Sequence, residues 1–313
     1  MDLARSAFRL RPLIPQDRDL LLQFVYGDPH TYYYPGWTHL RDWLDARIGW
    51  ALTVETRVVA AMVVQPENDL LAWLRFFAVR GDVPSDVAWR LLWRASVPEL
   101  AATGVRWVAA LGGRAWIDRW LRRQGFDRQV PLRFLYWNAP HPPQAPFPVG
   151  VRVRTMHEAD VPAVHAVDQA AFPPLWRLHA SLLAHAFQSA RLAYVVEDAQ
   201  GQVIGYEIFT ASPQGAHLAR LAVHPTWQRR GVGRALVAAG LQALRAEADG
   251  WVTVNTQAEN TPALRLYQSL GFRKLNSLPV WLRRLDERPL ETGALRAATG
   301  LPSAPYDRVS DGL

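Results

Sequence analysis

The feature that most constrains how this chain folds is a repeat. Arg9-Leu10-Arg11-Pro12, followed by Asp17, has a counterpart 143 residues later in Arg152-Val153-Arg154-Thr155, followed by Asp160. Phe77-Ala78-Val79 returns as Leu221-Ala222-Val223 at an offset of 144, and Gly125-Phe126 returns as Gly271-Phe272 at 146. Chance coincidences of apolar residues do not keep their order and spacing over three separated landmarks, so the nearly constant offset indicates two copies of one fold. Between the copies, Pro140, Pro142, Pro143, Pro146 and Pro148 fall within nine residues. Such a stretch continues neither a helix nor a sheet and reads as an extended spacer.

The second copy carries the chemical signal. Gln228-Arg229-Arg230-Gly231-Val232-Gly233 lies between a strand-like run, Leu218 to Val223, and a helix-like run, Arg234 to Ala246. Glycines there let the backbone approach a ligand, and amide hydrogens at a helix start point outward with partial positive charge, an arrangement suited to phosphate. A further strand-like run, Trp251 to Asn255, leads to Asn260-Thr261-Pro262-Ala263-Leu264-Arg265-Leu266-Tyr267-Gln268-Ser269-Leu270-Gly271-Phe272. In it, Thr261 can cap a helix, Pro262 fits the first turn and Gly271 the exit, with Ala263, Leu266, Tyr267 and Leu270 on one face. The rest of the second copy reads as strand 151–154, helices between about 158 and 188, and strands 192–197, 202–209 and 216–223. Pro213 and Gly215 mark a turn, a helix follows over 233–247, and 280–282 suits a closing strand.

These two blocks, in this order and separated by one strand, resemble the acetyl-CoA-binding core of the GNAT superfamily of N-acetyltransferases. Gln228 to Gly233 match that family's pyrophosphate loop, Q/R-x-x-G-x-G/A, while Asn260, Tyr267, Gly271 and Phe272 match its later helix. The resemblance implies an α/β fold of two tandem GNAT-like domains, each a mostly antiparallel twisted sheet flanked by helices, with splayed parallel strands at the cofactor site. The expected domains are 1–139, a degenerate copy; 140–149, the spacer; 150–285, the catalytic copy; and 286–313, a tail of little structure. Degeneracy shows in the first copy at Pro84-Ser85-Asp86-Val87-Ala88-Trp89, opposite Gln228 to Gly233, which has no glycine and an acid where phosphate would sit. The aromatic run Tyr32-Tyr33-Tyr34-Pro35-Gly36-Trp37 offers surface that could line a ligand cleft.

Roles follow residue by residue from the resemblance. Leu221, Ala222 and Val223 would bond the pantetheine arm through their backbone, with an amide near Val223 polarising the thioester carbonyl. Gln228, Arg229, Arg230, Gly231, Val232, Gly233 and Arg234 would hold the pyrophosphate, and Asn260 would bind cofactor or cap its helix. Tyr267 would protonate the departing thiolate. For the base that takes the amine proton, Glu207 is the first choice, because a mid-strand carboxylate is costly to bury without purpose. A relay through water is the alternative, with His217 and His224 as weaker candidates.

Composition narrows the class. The chain has no cysteine, which excludes disulfides, thiolate metal sites and an acyl-cysteine intermediate. Its formal net charge is +7, with Lys274 the only lysine, and the arginines are scattered among acids and apolar residues, which fits solvated helix faces and an anionic cofactor better than nucleic acid. No apolar run reaches the roughly 20 residues of a membrane span and no targeting signal opens the chain, so the expected compartment is the cytoplasm. The expected activity is acetyl-CoA-dependent N-acetylation by direct attack of an amine, without a metal, in a monomer whose halves form an intramolecular pseudo-dimer. The acceptor stays open. A tandem with one degraded half resembles mycothiol synthases, whereas Ala171-Phe172-Pro173 and the Asn–Tyr helix resemble protein N-terminal acetyltransferases. A non-catalytic acyl-CoA sensor is the third reading.

Overall fold

The computed structural model describes residues 8–285, apart from 28–30, 35, 37–39, 46–47, 213–214 and 248–249. The tail expected from 286, together with Pro35, Trp37 and Pro213, lies outside the described residues. Two compact units form, one from residues up to 130 with 279–285 and one from 131–278.

The first unit contains β1 (Phe8–Pro12), α1 (Arg18–Gly27), β2 (Tyr32–Tyr33), α2 (Leu40–Asp45), β3 (Trp50–Val54), β4 (Arg57–Pro66), β5 (Leu71–Val79), α3 (Ser85–Ala102), β6 (Trp107–Leu111) and α4 (Ala115–Arg123). β7 (Arg128–Trp137) crosses to the second unit. There follow β8 (Arg152–Thr155), α5 (Val161–Ala171), α6 (Ala180–Gln188), β9 (Ala190–Glu197), β10 (Val203–Ser212), β11 (Gly215–Val223), α7 (Val232–Glu247), β12 (Trp251–Gln257), α8 (Thr261–Ser269) and β13 (Arg273–Arg284). In each unit one parallel pair interrupts an antiparallel sheet: β5 with β6 in the first, β11 with β12 in the second. This is the mixed α/β architecture that the sequence leads one to expect.

Each unit is completed by a strand from the far side of the expected boundary. Leu132 to Trp137 of β7 pair antiparallel with Gln257 to Val252 of β12, and Trp137, 2% exposed, belongs to the second unit's core with Val237, Leu241, Tyr267 and Phe272. Val280 to Arg284 of β13 pair with Leu111 to Trp107 of β6, and the Trp281 indole donates to Asp118 Oδ1 at 2.7 Å inside the first unit. The compact units therefore divide the chain at 130/131 and 278/279, whereas the proline spacer marks 140–149. Proline content marks where regular structure stops, which here is not where the cores separate.

The repeat is visible in side-chain detail. Arg11 forks onto Asp17 with two bonds of 2.7 Å while Ile14 N–H donates to Asp17, and Arg154 forks onto Asp160 in the same way while His157 N–H donates to it. Both units also carry one extra residue at the same point of a β-strand: Arg75 in β5, between partners of Val63 and Val64, and Ala219 in β11, between partners of Ile208 and Phe209. An extra residue bends its strand and turns it away from its neighbour.

What lies beyond that bend separates the two halves. In the first unit, β5 pairs with β6 only over Leu71 to Trp73, and β2 then adds to β5 at Phe76 and Phe77. The Tyr32 hydroxyl accepts a bond from Leu111 N–H at 2.8 Å, so this segment bridges the gap left by the diverging strands. Trp89 is buried, stacked on Trp93 and edge-on to Phe77, within one aromatic core. Trp89 thus fills the unit's interior and does not stand in a phosphate loop. Of the run from Tyr32, Tyr32 is 2% exposed and Tyr34 packs on Trp73 at 5.4 Å, so these two rings do not offer an open ligand surface, whereas Tyr33 is 39% exposed.

Candidate active site

In the second unit the corresponding gap is open. β11 and β12 pair in parallel from Gly215–Trp251 to Leu218–Val254 and then part. Beyond that point β11 stays bonded to β10 through Gly205–Val223, and β12 stays bonded to β7 through Gln257–Leu132. One edge of Leu221 to Val223 is therefore left without a strand partner among the described residues. The opening is a cleft of about 850 Å³ lined by Leu221, Ala222 and Val223 on one side, by Asn260 and Leu266 on another, and by Phe172, Pro173 and Trp176 at its mouth.

The glycine loop closes one end. Gln228 Nε2 donates to Val223 O at 2.9 Å, tying the loop to the end of β11. Arg229 and Gly231 both have left-handed backbones, φ 64° and 88°, which turn the chain into α7. A Cβ on Gly231 would meet nothing within 4 Å, so the side toward the cleft is open space, whereas one on Gly233 would press within 3.3 Å of Leu266 Cδ1. The first N–H groups of α7 have no partner within the helix and face this space with the positive end of its dipole. Arg229 and Arg234 line the cleft, and Arg234 is held by Ser269 Oγ at 2.6 Å. Arg230 is exposed, with its guanidinium over the Trp227 ring at 5.0 Å. Val232 is buried with Val196, Ile204, Val223 and Leu236, so only its backbone is available to a ligand.

The two residues expected to move protons lie behind this surface. Tyr267 is 5% exposed, on the core face of α8, with its ring 5.5 Å from Phe272. Burial is the main cause that raises its pKa, so it keeps its proton. Glu207 is 0% exposed and neither carboxyl oxygen has a hydrogen-bond partner. At Gly240 of α7 a Cβ would come within 2.5 Å of the Phe209 ring and 2.7 Å of Glu207 Oε1, so both side chains need glycine there. Burial pushes the Glu207 pKa well above the usual carboxylate range, which favours its uncharged form. Neither Tyr267 nor Glu207 is among the residues lining the cleft.

Asn260 takes the capping position that Thr261 was expected to fill: its Oδ1 accepts from Ala263 N–H at 3.3 Å, and its Nδ2 donates to Thr256 Oγ1 at 3.0 Å. It also lines the cleft. His217 sits between the still-paired strands, bonded to Thr253 and Asn255, where burial pushes its pKa down to about 4. His224 bonds Thr226 on the surface. Among the described residues no group of three or more His, Asp or Glu is placed to hold a metal, and no helix is long and apolar enough to cross a membrane.

Sequence reasoning missed a buried charged cluster beside the mouth. Asp168 of α5 is 0% exposed, and its Oδ2 accepts from Arg220 Nε at 2.8 Å and from the Tyr206 hydroxyl at 2.5 Å. Arg220 Nη2 also donates to Trp176 O at 2.7 Å, while its guanidinium lies 3.5 Å over the Phe172 ring. Burial, the largest single influence, would lower the Arg220 pKa; the charges and hydrogen bonds of Asp168 and Tyr206 together outweigh it and raise it. A signal was present: Asp168 continues the apolar face of Val161, Val164 and Val167, where an acid needs a partner. Glu259, which is also among the residues lining the cleft, was missed as well.

The site is thus an open splay between parallel strands, closed at one end by a glycine loop at a helix start. Residues 189–274, within the second unit, match the acetyltransferase (GNAT) domain. The chain's fold is similar to that of a tandem GNAT protein from the clavulanic acid biosynthesis pathway, with a TM-score of 0.59 at 16% identity over 90% of this chain and 100% of that one. The mycothiol acetyltransferase of Thermobifida fusca is 33% identical over 102 residues, 30% of this chain and 32% of that protein, so the likeness spans about a third of the relative's length. The [ribosomal protein bS18]-alanine N-acetyltransferase of Escherichia coli K12 is 27% identical over 124 residues, 39% of this chain and 80% of that protein.

Proposed function

We propose that the protein is an acetyl-CoA-dependent N-acetyltransferase whose second unit holds the cofactor and carries out the transfer. The observation that carries this reading is the opening between β11 and β12 directly above the glycine loop. The residues present fit the group: space in front of Gly231, amides at the start of α7, and arginines at 229 and 234 suit a pyrophosphate, while the unpartnered edge of Leu221 to Val223 suits an amide-bearing arm. When bound, acetyl-CoA supplies an activated acetyl thioester. The Val223 region offers a backbone amide to the polarised carbonyl oxygen, and Tyr267 keeps a proton available behind the cleft for the leaving sulfur. Glu207, neutral and away from the lining, is left out of the direct base role assigned to it from sequence. The amine's proton leaves through water, with Glu259 the lining carboxylate able to receive it.

The relatives point to two kinds of primary amine, an amino-sugar conjugate of the mycothiol type and a protein N-terminal alanine. The test is release of free thiol from acetyl-CoA by the full chain with D-glucosamine, an amino-sugar conjugate and an alanine-initiated hexapeptide. Amine-dependent release supports the reading and identifies the acceptor class. Tight CoA binding without release for any amine would favour the acyl-CoA sensor.

A further inference from the structure

The Asp168–Arg220–Tyr206 cluster has a counterpart in the first unit, and the comparison separates what the fold needs from what the site needs. The matched bulges place Phe76 at the position of Arg220 and Ala61 at that of Tyr206, each facing the same way along its strand. The 143-residue offset that relates Asp17 to Asp160 puts Val25 at the position of Asp168. Val25, Ala61 and Phe76 pack in one apolar cluster of the first unit. The same fold therefore closes here with three apolar side chains, and a buried ion pair is commonly replaceable in that way without loss of stability.

In the second unit, the polar groups bond to the segment that follows α5. Arg220 donates to Trp176 O and covers the Phe172 ring, Asp168 Oδ1 accepts from Leu178 N–H at 3.0 Å, and Gln169 Nε2 donates to Leu178 O at 2.9 Å. Phe172, Pro173 and Trp176 of that segment form the cleft mouth, and Arg220 directly precedes Leu221 on its floor. We infer that Arg220 and Asp168 are positioning residues: they fix the 172–178 segment as the wall against which the acceptor amine is aligned over the Leu221–Val223 edge. The first unit, whose own gap is bridged by Tyr32, lacks the cluster. The inference rests on the acetyltransferase reading of the cleft.

The test replaces the pair by its apolar counterpart, Asp168→Val with Arg220→Phe, in the full chain, with Arg220→Lys as a second variant that keeps the charge but loses the flat fork. Three quantities are read: CoA affinity by calorimetry, hydrogen exchange of the non-proline amides within 172–178, and KM and kcat for an alanine-initiated hexapeptide and D-glucosamine. The double variant should melt within a few degrees of the native protein and bind CoA with affinity unchanged within about twofold. Exchange at 172–178 should quicken at least tenfold, with KM for the amine raised at least tenfold and kcat changed less. Arg220→Lys should show the same split more weakly. Native exchange at 172–178 in a folded double variant, or an unaltered KM, overturns the positioning role. Failure of the native chain to bind CoA would instead overturn the reading of the cleft.

Discussion

Replacing Glu207 by glutamine should stabilise the protein, and by more as pH rises. The carboxyl is fully buried, neither oxygen is bonded, and burial pushes its pKa well above the ordinary 4.5. A folded-state pKa above the unfolded value means that, between the two, the unfolded chain releases a proton that the folded protein keeps. The contribution to stability is then fully present below pH 4.5 and is lost as pH rises toward the folded-state value. One proton corresponds to a slope of about 1.4 kcal/mol per pH unit. Glutamine has nearly the same shape and no proton to release, so Glu207→Gln removes that slope. Below pH 4.5 the two proteins should agree within about 1 kcal/mol, since each buries a neutral polar group without partners. Above it, the variant should gain about 1.4 kcal/mol over the native protein for each unit until the folded-state value is passed. Urea unfolding at half-unit steps of pH, with stability from the midpoint and slope, reads this directly. Parallel stability curves for the two proteins would refute the reasoning, since they would mean that the buried carboxyl ionises in the folded state as it does in the unfolded chain.

Tyr267→Phe should lower amine-dependent thiol release by roughly ten- to ten-thousand-fold with CoA affinity nearly intact, because the ring still packs on Phe272; equal turnover would return Tyr267 to a purely structural role. A fragment spanning 131–278 should fold and bind CoA, whereas one spanning 140–285 should not, since it lacks the β7 residues paired to β12 and the buried Trp137. Loss of such a side chain alone costs about 3–5 kcal/mol, so circular dichroism melts will separate the two fragments; equal melts would show that β7 is dispensable.

The glycine loop and the capped helix were legible because their signals are local: glycine where the backbone turns left-handed, and Asn260 and Pro262 at a helix start. The opening above the loop was legible only through resemblance, as nothing in the run Leu218 to Val223 says that its pairing with β12 stops at Leu218. The strand that completes each unit was hidden for a related reason. β7 and β13 alternate and bury residues as any strand does, and alternation fixes a face, not a partner. The proline run then drew the expected boundary past β7. Glu207 was correctly singled out as an odd place for a carboxylate, but sequence could not tell a buried neutral acid from a base facing a cleft. The Asp168–Arg220 pair joins residues 52 apart and is invisible to periodicity, although Asp168 on a valine face called for a partner.

The central claim is that the cleft beside Gly231 is the CoA site and that the first unit, with its gap bridged by Tyr32, has none. Calorimetric titration of the full chain with CoA, native and Gly231→Asp, tests it most directly. A side chain at φ 88° is strained, and its carboxylate would occupy the open space in front of the helix start, where it would repel pyrophosphate. The account predicts one equivalent of CoA bound by the native chain and none by the variant at the same concentrations. A second equivalent on the native chain, or undiminished affinity after Gly231→Asp in a folded protein, would contradict it.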